Sequence, residues 1–230
     1  SSIAWAIAGD QQGGMVNYGG MAHAALWSGT IPSYRDLHPV GSQSHSEIRG
    51  MTTEQQVGYA NGHAGIWFGT AESFVDINPA GAVYSEARAT TGTMQAGFAV
   101  FDRYRHALLW FGSATNYLDL QLVMGLQYRA SGAESVWTDG STILVAGHAV
   151  DWPGYTHPLL WRIAVPCTIM CPADVLVCDD PGQCGAVVDY SAPLATNCAR
   201  LNIECIPPPG SFFPVGTNVV TCVAKHPGNR

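Results

Sequence analysis

Short apolar runs separated by turn residues fill the first two thirds of the chain. QVGYA (56–60), HAGIW (63–67) and SFVDIN (73–78) follow one another in this way. Runs this short, rich in aromatic and β-branched residues, read as strands. In HAGIW a period of two puts His63, Gly65 and Trp67 on one face and Ala64 and Ile66 on the other. Both faces are mostly apolar, so the predicted sheets are covered on both sides. Helix-period patterning is scarce, and the expected fold class is all-β.

The runs repeat. HAALW, HAGIW, HALLW and HPLLW begin at His23, His63, His106 and His157 and end on Trp27, Trp67, Trp110 and Trp161. Gly29, Gly69 and Gly112 follow the first three. An aromatic-x-Asp-aliphatic stretch comes next: Tyr34/Asp36/Leu37, Phe74/Asp76/Ile77 and Tyr117/Asp119/Leu120. Ser46, Ser85 and Ser135 are each followed twelve residues later by a glycine, Gly58, Gly97 and Gly147. With Gly9 as an earlier member, successive glycines lie 49, 39 and 50 residues apart. Four strands in such a unit, buried on both faces, predict a propeller-like domain of about four blades over 1–165. A β-solenoid is the rival, although its rungs are usually shorter. Glycine and histidine strands occur four times, aspartate and serine strands three times, with residue 1 falling inside a glycine strand. The last blade is therefore expected to lack two strands, which upstream residues or another subunit would supply.

Two chemical readings attach to the repeat. Four histidines on a common channel would suit a metal, because neutral imidazole is a frequent ligand. Recurrence at one phase favours the structural alternative, in which each histidine bonds within its own blade. Asp36, Asp76 and Asp119 invite acid–base chemistry, but their phase equally makes them blade-turn anchors. Glu47 and Glu86 follow the repeat serine and read as turn or interblade contacts. Trp5, Tyr104, Trp152 and Tyr155 suit either sugar stacking or buried packing. No phosphate-binding glycine loop or nucleophile elbow occurs. No catalytic, cofactor-binding or metal residue is assigned, no cofactor is expected, and the chain reads as a non-enzyme.

Composition narrows the partners. Of 230 residues, 47% are hydrophobic and 12% charged, as in a globular protein. A net charge of -7 with one lysine, Lys225, speaks against nucleic acid and anionic membrane surfaces. No apolar run approaches the ~18 residues of a membrane span, so no insertion is expected. All seven cysteines lie between Cys167 and Cys222. That density reads as a disulfide framework made in an oxidising compartment. A zinc site is the rival, but the CxxC spacing of such sites is absent.

Residues 1–165 resemble the extracellular repeats named for their His-Ala-Phe signature (HAF-type). The resemblance rests on Gln56-Val57-Gly58-Tyr59-Ala60, His63-Ala64-Gly65-Ile66-Trp67 and Asp76-Ile77. Pro158 replaces the usual alanine in the last copy. WTDGST (137–142) is similar to the acidic box of sialidase-type propellers, yet occurs once and lacks the following tryptophan.

From Pro166 onward, prolines, cysteines and valine-rich strands take over. The segment 166–230 resembles a hyalin repeat (HYR-type), an immunoglobulin-like β-sandwich of adhesive extracellular proteins. Cys171-Pro172, Ala186-Val187-Val188, Pro209-Gly210, Phe213-Pro214-Val215-Gly216-Thr217 and Val220-Thr221-Cys222-Val223-Ala224 carry it. The resemblance implies the pairs Cys184–Cys198 and Cys205–Cys222, then Cys167–Cys178. Cys171 is left unpaired, because its partner would lie on a strand past Gly228-Asn229, and the segment is expected to be truncated. Together the resemblances imply an extracellular or cell-surface protein that is structural or adhesive. It would join an assembly such as a filament completed by strands exchanged between subunits, with other protein subunits or surface glycans as partners. The alternative is a carbohydrate-binding module or propeller enzyme within a larger secreted protein.

Overall fold

Most of the apolar runs turn back on the next through residues with positive φ. Asn61 and Gly62 (φ 55 and 80) close one hairpin, and Asp102 and Arg103 (φ 47 and 90) another. The computed structural model describes residues 1–165, 168–196 and 202–225. These form antiparallel sheets, and no α-helix occurs among the described residues.

The first sheet runs in order β1 (Ser2–Ala8), β2 (Gln11–Tyr18), β3 (Met21–Ser28) and β4 (Thr30–Asp36). The second repeats the order with β5 (Ser46–Met51), β6 (Gln56–Ala60), β7 (His63–Trp67) and β8 (Val75–Asp76). The third follows with β9 (Tyr84–Thr90), β10 (Gln95–Phe101), β11 (Tyr104–Ser113) and β12 (Asn116–Asp119). The fourth has three strands, β13 (Tyr128–Thr138), β14 (Thr142–Asp151) and β15 (Thr156–Ala164).

Successive sheets lie face to face, as two-sided apolar strands require. Ala24, Leu26 and Leu37 of the first share a buried cluster with Ile48, Ala60 and Trp67 of the second. Val57, Ala64, Ile66 and Ile77 then meet Ala87, Ala99, Leu108 and Trp110 of the third. β13 continues the series on β10 and β11. The four sheets form an open series and do not close into a propeller.

Register corrects three points of the sequence reading. The recurring glycine of the first sheet is Gly14, not Gly9. Gly9 (φ 59) occupies the β1–β2 turn, whereas Gly14 pairs with Ala4 as Gly58 does with Ile48. At Gly14, Gly58, Gly97 and Gly147 a Cβ would overlap a backbone carbonyl of the neighbouring strand, that of Ile3, Glu47, Glu86 and Gly132. That strand bulges at Trp5, Arg49, Arg88 and Glu134, which brings its backbone close. Second, the repeat serine of the fourth sheet is Ser131, not Ser135. Ser131 opposes Ala149 as Ser46 opposes Ala60 and Ser85 opposes Ala99. The β13–β14 hairpin is longer, so counting twelve residues back from Gly147 lands on the exposed Ser135. Third, β1 is the first sheet's serine strand, with Ser2 opposite Val16. Only the fourth strand of the last sheet lacks a counterpart among the described residues.

By compactness the chain forms two units, 1–138 with 143–163, and 139–142 with the chain from 164 onward. In the second, the expected sandwich consists of two-stranded ladders. β16 (Thr168–Met170) pairs with β18 (Leu194–Thr196), β17 (Gly185–Val188) with β20 (Ser211–Pro214), and β19 (Asn202–Ile206) with β21 (Thr221–Lys225). Ala186 and Phe213 are its buried hydrophobics among the described residues.

Cys205 and Cys222 face each other across the β19–β21 ladder and are bonded. Cys171, Cys178 and Cys184 are free and exposed. Of the implied pairs, Cys205–Cys222 is formed, whereas Cys184–Cys198 and Cys167–Cys178 each involve a residue outside the described ones. Cys167 and Cys198 lie outside the described residues. Cross-strand pairing holds the Cα atoms of Cys205 and Cys222 4.0 Å apart; Cys178 lies in a stretch without strands and Cys184 directly before β17.

Candidate functional site

The recurring histidines and aspartates prove to be partners. The histidine opens or lies near the start of the third strand, and the aspartate lies thirteen residues on, in the strand beside it. His23 Nδ1 meets Asp36 Oδ2 at 2.9 Å, His63 meets Asp76 at 2.6 Å, and His106 meets Asp119 at 2.8 Å. The second carboxylate oxygen accepts the backbone N–H two residues on, from His38, Asn78 and Gln121, at 2.8, 2.7 and 2.9 Å. Each aspartate thus ties the histidine strand to the loop leaving the sheet. The aliphatic neighbours Leu37, Ile77 and Leu120 are thereby held in the core. His157 departs from the pattern: its Nε2 reaches back to Asp151 at 3.0 Å. That bond above all, with the backbone N–H groups of Tyr155 and Gly154, holds the Asp151 carboxyl below its usual range. Each of the four rings bonds a carboxylate of its own sheet.

The serines join one sheet to the next. The N–H of Ala24, Ala64 and Ala107, each directly after the repeat histidine, donates to Ser46, Ser85 and Ser131 Oγ at 2.9, 2.8 and 2.9 Å. All three serines are buried. Ser85 passes its own proton to Asn78 Oδ1 at 2.6 Å, and Ser46 to His38 Nδ1 at 2.7 Å. A further repeated bond went unread in the sequence, although a glutamine two residues before the glycine signals it. Gln12, Gln56 and Gln95 accept the N–H of Gly29, Gly69 and Gly112.

The bulge residues form a third link between sheets. Arg49 lies over the Trp5 ring, 4.8 Å from its centroid, and its Nε is 3.4 Å from Glu86. Arg88 bonds Glu86 at 3.1 Å and pairs with Glu134 in the next sheet. Tyr59 and Tyr84 donate to Glu47 and Glu86 at 2.9 and 3.2 Å. Burial, reinforced by Glu86, pushes the Tyr84 phenol up to about 12. WTDGST is a hairpin turn: Asp139 Oδ1 accepts the N–H of Ser141 and Thr142 at 2.9 and 2.7 Å. These bonds lower the Asp139 carboxyl.

His38 gives this network a pH dependence. Burial lowers its pKa from the ordinary imidazole value, and His23, stacked 4.0 Å away, lowers it further. The Ser42 carbonyl and Asp36 act in the opposite direction. Nδ1 accepts from Ser46, so protonation there breaks the bond. The unfolded chain takes up this proton near pH 6.5, while folded His38 stays neutral to lower pH. The His38 contribution is therefore complete above about pH 6.5 and is lost as pH falls toward the depressed folded value. Melting of wild type at about pH 7.5 and about pH 5.5 should show this loss. In His38→Asn, which copies Asn78, the difference shrinks, and an unchanged pH dependence in the variant would contradict the assignment.

Trp27, Trp67, Trp110 and Trp161 are buried. Trp67 donates its indole N–H to the Leu37 carbonyl at 2.8 Å. The buried indole N–H groups of Trp110 and Trp161 have no partner among the described residues. Trp152 and Tyr155, by contrast, are exposed (59% and 70%). In the second unit a cleft of about 960 Å³ is lined by Val175, Val177, Val188, Ile203 and Phe213 among others. No helix among the described residues is long and apolar enough to cross a membrane. No curated protein and no solved structure gives a significant match to the chain. Residues 164–230 match the HYR domain, an immunoglobulin-like domain of extracellular and cell-surface, adhesion-related proteins.

Proposed function

We propose that the chain is a secreted structural or adhesive protein, a building block of a cell-surface or extracellular assembly whose partners are other protein subunits. The observation that carries this reading is the HYR match over 164–230. The repeat unit supports it chemically. Each recurring aspartate is committed on both oxygens, one to a histidine and one to backbone N–H. Such a carboxylate is a structural tie, a use that supports the non-enzymatic reading. β15 is the outer strand of its sheet, with no partner strand on its far edge among the described residues. Such an edge suits strand addition by a neighbouring chain.

The test is antibody labelling of intact producing cells by immunogold electron microscopy. Label on the outer surface or in material between cells is expected. Label appearing only inside permeabilised cells overturns the reading. A second reading, sugar binding, draws on exposed Trp152. Its N–H is tied to the Leu126 carbonyl and its ring meets Tyr104 edge-on, so the aromatic face is fixed in place. Glycan-array binding that Trp152→Ala removes, from a chain that forms no protein assembly, would favour it.

A further inference from the structure

The sheets pack through one repeated set of register positions. In the second sheet, Ser46, Ile48 and Met51 oppose Ala60, Gly58 and Gln56 and face the first sheet. Ser85 and Ala87 of the third sheet, and Ser131 and Ala133 of the fourth, occupy the same register and are buried. In the first sheet the same register belongs to Ser2, Ala4 and Ile7, opposite Val16, Gly14 and Gln12. Here all three are exposed, Ile7 at 71%. A face that is buried or half-buried in three sheets is exposed in the first.

The tail carries the complementary face. The positions that receive a following sheet are the second and fourth residues of the His-x-x-x-Trp stretch. Ala24 and Leu26, Ala64 and Ile66, and Ala107 and Leu109 are all buried by the next sheet. Their counterparts in the last sheet, Pro158 and Leu160, are exposed, Leu160 at 63%.

We propose that a second copy of this chain covers these faces head to tail. The Ser2/Ala4/Ile7 face of one copy lies on the Pro158/Leu160 face of another, continuing the sheet-on-sheet packing that already joins the sheets within each copy. This rests on the reading of the chain as an assembly unit and names the surface used. The contact is heterologous, so it propagates or closes into a ring and does not stop at a two-fold dimer. It is also weaker than the internal interfaces. The residue after each earlier histidine gives its N–H to a serine of the next sheet, but Pro158 has no N–H to give Ser2. The joint is therefore made by apolar contact and is reversible.

Sedimentation velocity on the full chain tests this. Wild type is expected to form oligomers whose mean mass rises with concentration. Ile7→Asp and Leu160→Asp each change an exposed side chain, and unaltered circular dichroism and melting verify folding. Each alone is expected to sediment as a monomer. An equimolar mixture is expected to form heterodimers and nothing larger, through the intact tail of Ile7→Asp and the intact head of Leu160→Asp. Pro158→Ala restores the N–H and is expected to tighten association roughly 2–10-fold, the worth of one hydrogen bond. Ser2→Ala in that background removes the gain. Wild type that stays monomeric, or that associates while the mixed variants do not pair, overturns the proposal. Surface label on cells making a monomeric protein would sink the joint alone. Head-to-tail oligomers found only inside cells would sink the extracellular reading alone.

Discussion

Trp67→Ala is expected to lower the unfolding free energy of the repeat unit by about 4 kcal/mol, within the range for emptying a buried tryptophan site. Trp67 is fully buried among Leu26, Leu37, Ile48 and Ala60. Its ring packs on Phe74 with centroids 4.9 Å apart, and its N–H donates to the Leu37 carbonyl. Alanine removes the contacts, leaves a cavity between two β-sheets that cannot close on it, and strands a buried carbonyl. Trp110→Ala is the informative comparison. Trp110 is as buried, but its N–H has no partner among the described residues. Its loss should cost less by about one hydrogen bond, roughly 1 kcal/mol. Urea unfolding followed by circular dichroism reads both values. A Trp67→Ala loss below about 1 kcal/mol would contradict the packing described here.

Gly58→Ala should cost about 3 kcal/mol, at the upper end for overpacking. Its φ is not the reason, since Gly58 has an ordinary strand conformation. The cause is close approach: the bulge at Arg49 pushes the Glu47 carbonyl into the space a Cβ would fill. That oxygen is backbone, so it moves only if the bulge is undone. Undoing it would displace Arg49 from Trp5 and Glu86. Gly81→Ala is the contrast. A Cβ there meets open space, but φ is 83, so only backbone strain is incurred. Thermal melting of the two variants separates the mechanisms. Equal losses would argue against the bulge.

Much of the repeat was legible because it depends on residue type at fixed spacing. The His-x-x-x-Trp stretches, the aspartates after them and the four strands per unit all lie close in sequence. The side-chain period of a strand then makes burial readable. His–Asp pairing was missed although both residues were identified, because it depends on the register between the third and fourth strands. Spacing alone misplaces the serine of the fourth sheet at Ser135 for a related reason. Counting assumes equal hairpins, and β13 and β14 are longer strands than their equivalents. In the second unit, Cys205–Cys222 follows from two strands that pair.

By itself the sequence determined the all-β class, the repeating unit, its buried tryptophans and the cysteine-rich segment after it, because each depends on local pattern and composition. Only the tertiary structure decided which serine staples which sheet, why four glycines tolerate no side chain, and that the series stays open. Those depend on register, bulges and sheet-on-sheet contact between residues far apart in the chain. The exposure of Ser2, Ala4 and Ile7 belongs to the second group. Nothing in their sequence sets them apart, and they stand out only because their equivalents in every later sheet are buried or half-buried.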